Sequence, residues 1–123
     1  MILLLVCGSF LANNSYADGI TKNVKFKKGM YSATYSNSVV RGDRDTYILK
    51  ASREQVMEVK ITSLENNAVF QILNTKTGKY LPGAGEEDDA MSWKGTLPSS
   101  GKYKIIVGGT RGNTSYDLTI AIL

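Results

Sequence analysis

The 123-residue sequence has no histidine, one cysteine, two prolines and one tryptophan. Each scarcity excludes a class of chemistry. Without histidine there is no Ser-His-Asp hydrolase, no Cys-His protease and no histidine-containing zinc site, and the commonest general base is missing. The lone Cys7 can close no internal disulfide and build no thiolate metal cluster. Long apolar runs are absent too. The only apolar segment, within Met1 to Ala12, falls far short of the roughly 20 residues a membrane span needs. A carboxylate enzyme would need two acids at a set separation in unequal environments. The one dense acidic run, Glu86-Glu87-Asp88-Asp89, follows the Gly-rich stretch Gly83-Ala84-Gly85 and reads as a solvated loop. Its spacing fits no EF-hand, so neither a metal nor a cofactor is expected, and the chain reads as a non-enzyme.

What is present begins with an export signal. Ile2, Leu3, Leu4, Leu5, Val6, Phe10 and Leu11 form a short apolar core, and Ser15-Tyr16-Ala17 supplies small residues in an A-x-A-like cleavage pattern. Residues 1–17 are expected to be a signal peptide and 18–123 a single mature domain in the periplasm, long enough to bury a core without disulfides. At 42% hydrophobic and 21% charged the composition is globular. The net charge of +4 is uneven, because Lys22, Lys25, Lys27 and Lys28 crowd the start of the mature chain. They are not interleaved with aromatics across a face, so nucleic acid is not an expected partner. Lysines at a sheet edge act against edge-to-edge pairing.

The dominant periodicity is two. Tyr47, Leu49 and Ala51, then Met57, Val59 and Ile61, then Tyr103, Ile105 and Val107, then Tyr116, Leu118, Ile120 and Ile122 each alternate with polar neighbours. Further strands are expected near 24–26, 30–40, 69–74 and 91–97. Turn-formers separate them: Arg41-Gly42-Asp43, Glu65-Asn66-Asn67, Thr77-Gly78-Lys79, Pro98-Ser99-Ser100-Gly101 and the 108–113 glycine-rich stretch. About eight closely spaced strands with no helical window predict an all-β fold, an antiparallel β-sandwich with jelly-roll character. Tyr103, Ile105, Tyr116, Leu118 and Ile120 are the expected core. Trp93 is expected to cap or fill it.

Two loops offer polar groups. Gly108-Gly109-Thr110-Arg111-Gly112 lacks the Lys-Ser/Thr of a phosphate loop and reads as a hairpin. Its Arg111 is a guanidinium at an exposed tip, suited to bidentate capture of a carboxylate. Ser100-Gly101-Lys102-Tyr103 launches a strand, with Gly101 making the turn and Tyr103 the first inward residue.

Four segments carry a resemblance: Asn23 to Gly29, Ser32 to Ser36, Gly42 to Tyr47 and Gly95 to Tyr103. In order along the mature chain they resemble the periplasmic lysozyme inhibitors of Gram-negative bacteria, most closely the inhibitors of g-type lysozyme and next the i-type branch. The resemblance implies an eight-stranded sandwich whose Ser-Gly-x-Tyr loop, here Ser100, Gly101 and Tyr103, enters the lysozyme cleft. It implies the same role for a Thr-Arg pair on the next hairpin, here Thr110 and Arg111; Arg44 on the earlier loop is a further expected partner contact. The chain departs from the family in three ways. Its 108–113 hairpin is shorter, no second arginine follows Arg111, and Asp43 stands where the family has an aromatic after the loop glycine.

Two readings follow. In the first, the protein plugs the active-site cleft of a host or competitor lysozyme, g-type or i-type, with Ser100 and Arg111 forming one tip. In the second it is a cell-wall or carbohydrate-binding module, similar to pre-peptidase C-terminal domains, with Trp93, Tyr80 and other tyrosines as a stacking face. An exposed coplanar row of aromatics would favour the module; inward-pointing Trp93 and Tyr103 would favour the plug.

Overall fold

The computed structural model describes residues 19–123; the expected signal peptide, its cleavage pattern and Cys7 lie outside the described residues. Each stretch of alternating residues forms a strand because one face can be buried while the other meets water. The strands are β1 (Thr21–Asn23), β2 (Ser32–Val39), β3 (Asp45–Ala51), β4 (Val56–Ser63), β5 (Ala68–Asn74), β6 (Lys79–Tyr80), β7 (Ser92–Thr96), β8 (Gly101–Gly109) and β9 (Thr114–Ile122). They form two sheets, ordered β1-β3-β8-β5-β6 and β2-β9-β4-β7. The inward faces of both close on one core that includes Tyr47, Phe70, Tyr103, Ile105, Leu118 and Ile120. The five expected core residues are all buried.

Three details differ from the sequence expectation. There are nine strands among the described residues rather than about eight. The first lies at Thr21–Asn23, not 24–26, and runs parallel to β3. All three of its side chains are exposed, so no alternation marks it, and the neighbouring strand creates it. Val24 still donates its amide to the Ile48 carbonyl of β3 at 2.8 Å, and the side chains of Val24 and Phe26 pack against the core. The added strand β6 has only two residues, too few for a periodicity to register.

The register defines two ends. Ala51 pairs with Gly101, Met57 with Ile122 and Ser32 with Ala121, so the 52–55 turn, the 97–100 loop and the 27–31 turn share one end. Val39 pairs with Thr114, Asp45 with Val107 and Ala68 with Gly109. The 40–44, 64–67 and 110–113 turns therefore share the other.

A buried polar network crosses between the sheets. Tyr116 donates its hydroxyl to Asp45 Oδ2 at 2.6 Å, Asn37 Nδ2 donates to the same oxygen at 2.9 Å, and the Tyr47 and Tyr116 hydroxyls lie 2.6 Å apart. Asp45 Oδ1 accepts the Ile20 amide at 2.9 Å, which ties the lead-in of β1 to the core. Burial pushes the pKa of both Tyr47 and Tyr116 above the ordinary 10.0, the carboxylate of Asp45 reinforcing it. A group held neutral in this way stabilises the fold below the unfolded-state pKa and loses that contribution as the pH rises beyond it. The unfolding free energy should therefore decline above about pH 10, by up to about 1.4 kcal/mol per pH unit for each of the two phenols. Urea unfolding at pH 8, 10 and 11 measures the decline, and Tyr116→Phe should make it shallower. An unchanged midpoint across that range would show that these phenols are not held neutral by the fold.

Candidate functional site

The structure separates the residues expected to act together. Ser100 precedes β8 and Arg111 follows it, so nine strand residues lie between them, roughly 30 Å at 3.3 Å per residue. The expected single tip made of Ser100 and Arg111 does not exist. A strand turns back only at its ends, and these two residues flank opposite ends of the same strand.

At the Ser100 end the motif is largely occupied internally. Tyr103 is fully buried and its hydroxyl donates to the Ser99 carbonyl at 2.6 Å. Ser100 Oγ accepts the Arg53 amide at 2.8 Å, which fastens the 52–55 turn to the loop. Gly101 has a φ of +146°, a conformation that side chains resist. The Ser-Gly-x-Tyr pattern thus builds the turn, and Ser100 remains exposed at its surface.

The Arg111 end is different. Three loops meet there around Asn67, which is 2% exposed. Its carbonyl accepts the Thr110 amide at 2.8 Å. Its Oδ1 accepts the Thr114 hydroxyl at 2.7 Å, and its Nδ2 donates to the Asn113 carbonyl at 3.1 Å. Asn113 Oδ1 in turn accepts the Arg41 amide at 2.7 Å. One buried amide thereby fixes both stems of the arginine hairpin, and the hairpin fixes the β2–β3 turn.

On this scaffold three guanidinium groups are displayed. Arg111 Nη2 donates to the Glu65 carbonyl at 2.8 Å, which holds the side chain in place and leaves its other donors to a partner. Arg44 lies across Gly108, where an added Cβ would stand 3.0 Å from its Cδ, Nε and Nη1; Arg44 Nη1 donates to the Asp43 carbonyl at 3.0 Å. Arg41 is exposed on the same turn. The same turns also expose two apolar side chains that water would not favour, Leu64 at 99% exposure and Val40 at 53%. Exposed aliphatics and ordered arginines at one end of a sandwich are the composition of a protein-binding surface. Sequence reading missed Leu64, Val40 and Asn67. A leucine inside a Glu-Asn-Asn turn was the available signal. The role of Asn67 depends on contacts 43 to 47 residues away.

Removing the hub tests this geometry. Asn67→Ala leaves the Thr110 amide its carbonyl but strips the partners of Thr114 and Asn113, and should cost about 1–3 kcal/mol of stability. The hairpin amides of 110–113 should exchange with deuterium faster than those of the 97–100 loop. Equal exchange at both ends would remove Asn67 from this role.

Most of the aromatic residues are turned into or against the core rather than set in an exposed stacking row. Tyr47, Tyr103 and Tyr116 are buried. Trp93 packs against the core, lies over Gly95 and donates Nε1 to the Pro82 carbonyl at 2.8 Å. In the acidic run, Asp88 Oδ2 accepts the Gly85 amide at 2.7 Å. Among the described residues no group of acids is arranged to hold a metal ion.

No family model matches the chain. Among curated proteins it is similar to the inhibitor of g-type lysozyme of Escherichia coli (strain K12), with 31% identity over 128 aligned positions that cover 96% of this chain and 86% of that protein. The chain belongs to the family of inhibitors of g-type lysozyme. The solved structure of the Aeromonas hydrophila member, a periplasmic lysozyme inhibitor of g-type lysozyme, agrees: TM-score 0.70, 33% identity, 85% of this chain and 96% of that one. The sandwich also resembles a pre-peptidase C-terminal domain of a Bacillus anthracis collagenase, at TM-score 0.60 and 15% identity over 88% of this chain and 99% of that domain. That second likeness concerns the fold alone, whereas the likeness to the inhibitor family extends to sequence over nearly the whole chain.

Proposed function

We propose that this protein is a periplasmic inhibitor of g-type lysozyme, exported with loss of residues 1–17, that closes the enzyme's cleft with its Arg111 end. Membership of the inhibitor family supports the target and the compartment. The observation that carries the choice of end is the grouping of Arg111, Arg44 and exposed Leu64 on loops locked together by Asn67. Glycosidases of this kind work through carboxylates in a groove. A guanidinium held by its backbone contact can pair with such a carboxylate at little cost in side-chain entropy, and Leu64 and Val40 exclude water around the pair. Arg44 supplies a second guanidinium from the neighbouring turn, although no arginine follows Arg111 in the sequence.

Charge distribution favours the same end. Glu65, Glu86 and Asp89 lie near it, the last two lining a cleft of about 230 Å³ together with Arg44 and Thr110. Many lysozymes are basic, and acidic loops around an arginine tip would draw such an enzyme in despite the net positive charge of the chain. Ser100, Gly101 and Tyr103 are assigned to the architecture of the opposite end.

The test is a panel assay of the purified protein against g-, c- and i-type lysozymes on cell-wall substrate. Inhibition of the g-type enzyme is expected. Inhibition of the i-type alone would move the target to the neighbouring branch, and inhibition of none would remove the proposed activity.

A further inference from the structure

The end of the sandwich remote from Arg111 carries a surface of its own. Lys50 and Lys102 face each other directly across β3 and β8, both exposed on the outer side of the sheet. Like charges placed opposite one another weaken a sheet. Neither is offset, since among the described residues the only ion pair joins Lys60 to Glu58. Arg53 and the acidic Glu54 are both exposed on the adjoining 52–55 turn, so the turn itself is neutral and the positive charge comes from the lysines. On the other sheet the Lys27-Lys28-Gly29-Met30 turn, closed by the Met30 amide on the Lys27 carbonyl at 2.8 Å, brings two more lysines to this end. It also exposes Met30 at 55% and Tyr31 at 75%. The Tyr31 carbonyl accepts the Ile122 amide at 3.0 Å, so the tyrosine leaves a fixed backbone.

A fold gains nothing from unpaired lysines held face to face at the same end as an exposed methionine and tyrosine. The combination suits one environment, the boundary of a lipid bilayer with anionic headgroups. There lysines bind phosphate, and an aromatic with a polar tip sits at headgroup level beside a short apolar side chain. A soluble polyanion would match the lysines and leave Met30 and Tyr31 in water.

We infer that this end docks on an anionic phospholipid surface through Lys27, Lys28, Lys50 and Lys102, with Met30 and Tyr31 entering the headgroup layer. Docking in this orientation turns the Arg111 end away from the membrane, so the attached protein keeps its proposed tip free. The inference does not depend on which lysozyme that tip meets.

Co-sedimentation with vesicles tests it, using protein purified after expression of the full chain. Vesicles of phosphatidylcholine with phosphatidylglycerol should bind it at 50 mM salt and release it at 500 mM, and pure phosphatidylcholine should not bind it. Each lysine near an anionic surface strengthens binding about fivefold, so the combined Lys27→Gln, Lys28→Gln, Lys50→Gln, Lys102→Gln variant should bind at least about 100-fold more weakly. Tyr31→Ser should weaken binding several-fold and leave the salt dependence unchanged. The thermal midpoint of the lysine variant, expected to be equal or higher, separates lost docking from lost folding. No binding to anionic vesicles at low salt would overturn the inference, as would equal binding by the folded lysine variant or capture by polygalacturonate but not by vesicles. Inhibition of lysozyme should be the same for the lysine variant and the parent, so failure of either reading is seen separately.

Discussion

Arg111→Ala should weaken inhibition of a g-type lysozyme by about 2–5 kcal/mol, because on the proposed docking a carboxylate of the cleft would be left desolvated and without its partner. That corresponds to about thirtyfold to several-thousandfold in the inhibition constant. Most of it should appear as faster dissociation, since removing a buried charge partner raises the off-rate whereas rim charges govern encounter. The variant's own stability should stay within about 0.5 kcal/mol, the usual range for an exposed side chain whose contact is one backbone carbonyl. Ser100→Ala gives the contrast. It strips the Arg53 amide of its acceptor and should cost up to about 1 kcal/mol of stability, with inhibition unchanged. Calorimetric titration and thermal melts on both variants measure the two effects. Lost inhibition in Ser100→Ala with none lost in Arg111→Ala would transfer the site to the other end of the sandwich.

The second large effect is on the fold. Leu118 is fully buried at the centre of β9, paired with Tyr35 on one side and Ile61 on the other. Truncating it to alanine leaves a cavity between the sheets and should cost about 2–5 kcal/mol. For a domain of this size the melting temperature should fall by at least about 8 °C. Inhibition measured well below that temperature should be nearly unchanged, because Leu118 lies within the sandwich and none of the three loops contains it. A loss below about 1 kcal/mol would mean that the side chain is not packed as described, since the register allows no half-buried position for it.

These two substitutions also mark what the sequence made legible. Period-two alternation places Leu118, Ile120, Tyr103 and Ile105 inward without any knowledge of their neighbours, and β2 to β5 and β7 to β9 lie where alternation or turn residues put them. β1 escapes that reading because its three exposed residues take their conformation from hydrogen bonds to β3. The buried Asp45 escapes it for a related reason. Its burial is made possible by Tyr116, Asn37 and the Ile20 amide, all distant in sequence or unremarkable by type.

The site was partly legible. Arg111 stands out as a guanidinium in a glycine-rich hairpin, and family resemblance points to it and to Arg44. Joining Ser100 to the same tip overlooked information already present, for a strand expected over 102–107 must carry its two flanking turns to opposite ends. Leu64, Val40 and Asn67 required the three-dimensional arrangement, because an exposed leucine means little until its turn is seen at the same end as the arginine loops.

The measurement that bears most directly on the Arg111 end is a double-mutant cycle across the complex. Arg111→Ala in the inhibitor is combined with carboxylate-to-amide replacements in the cleft of a g-type lysozyme, and binding is measured for all four pairs in each cycle. A coupling energy of at least about 1.5 kcal/mol with one cleft carboxylate is expected, the range found for close charge pairs across an interface. Coupling indistinguishable from zero with every carboxylate of the cleft would contradict the entry of this end into the active site.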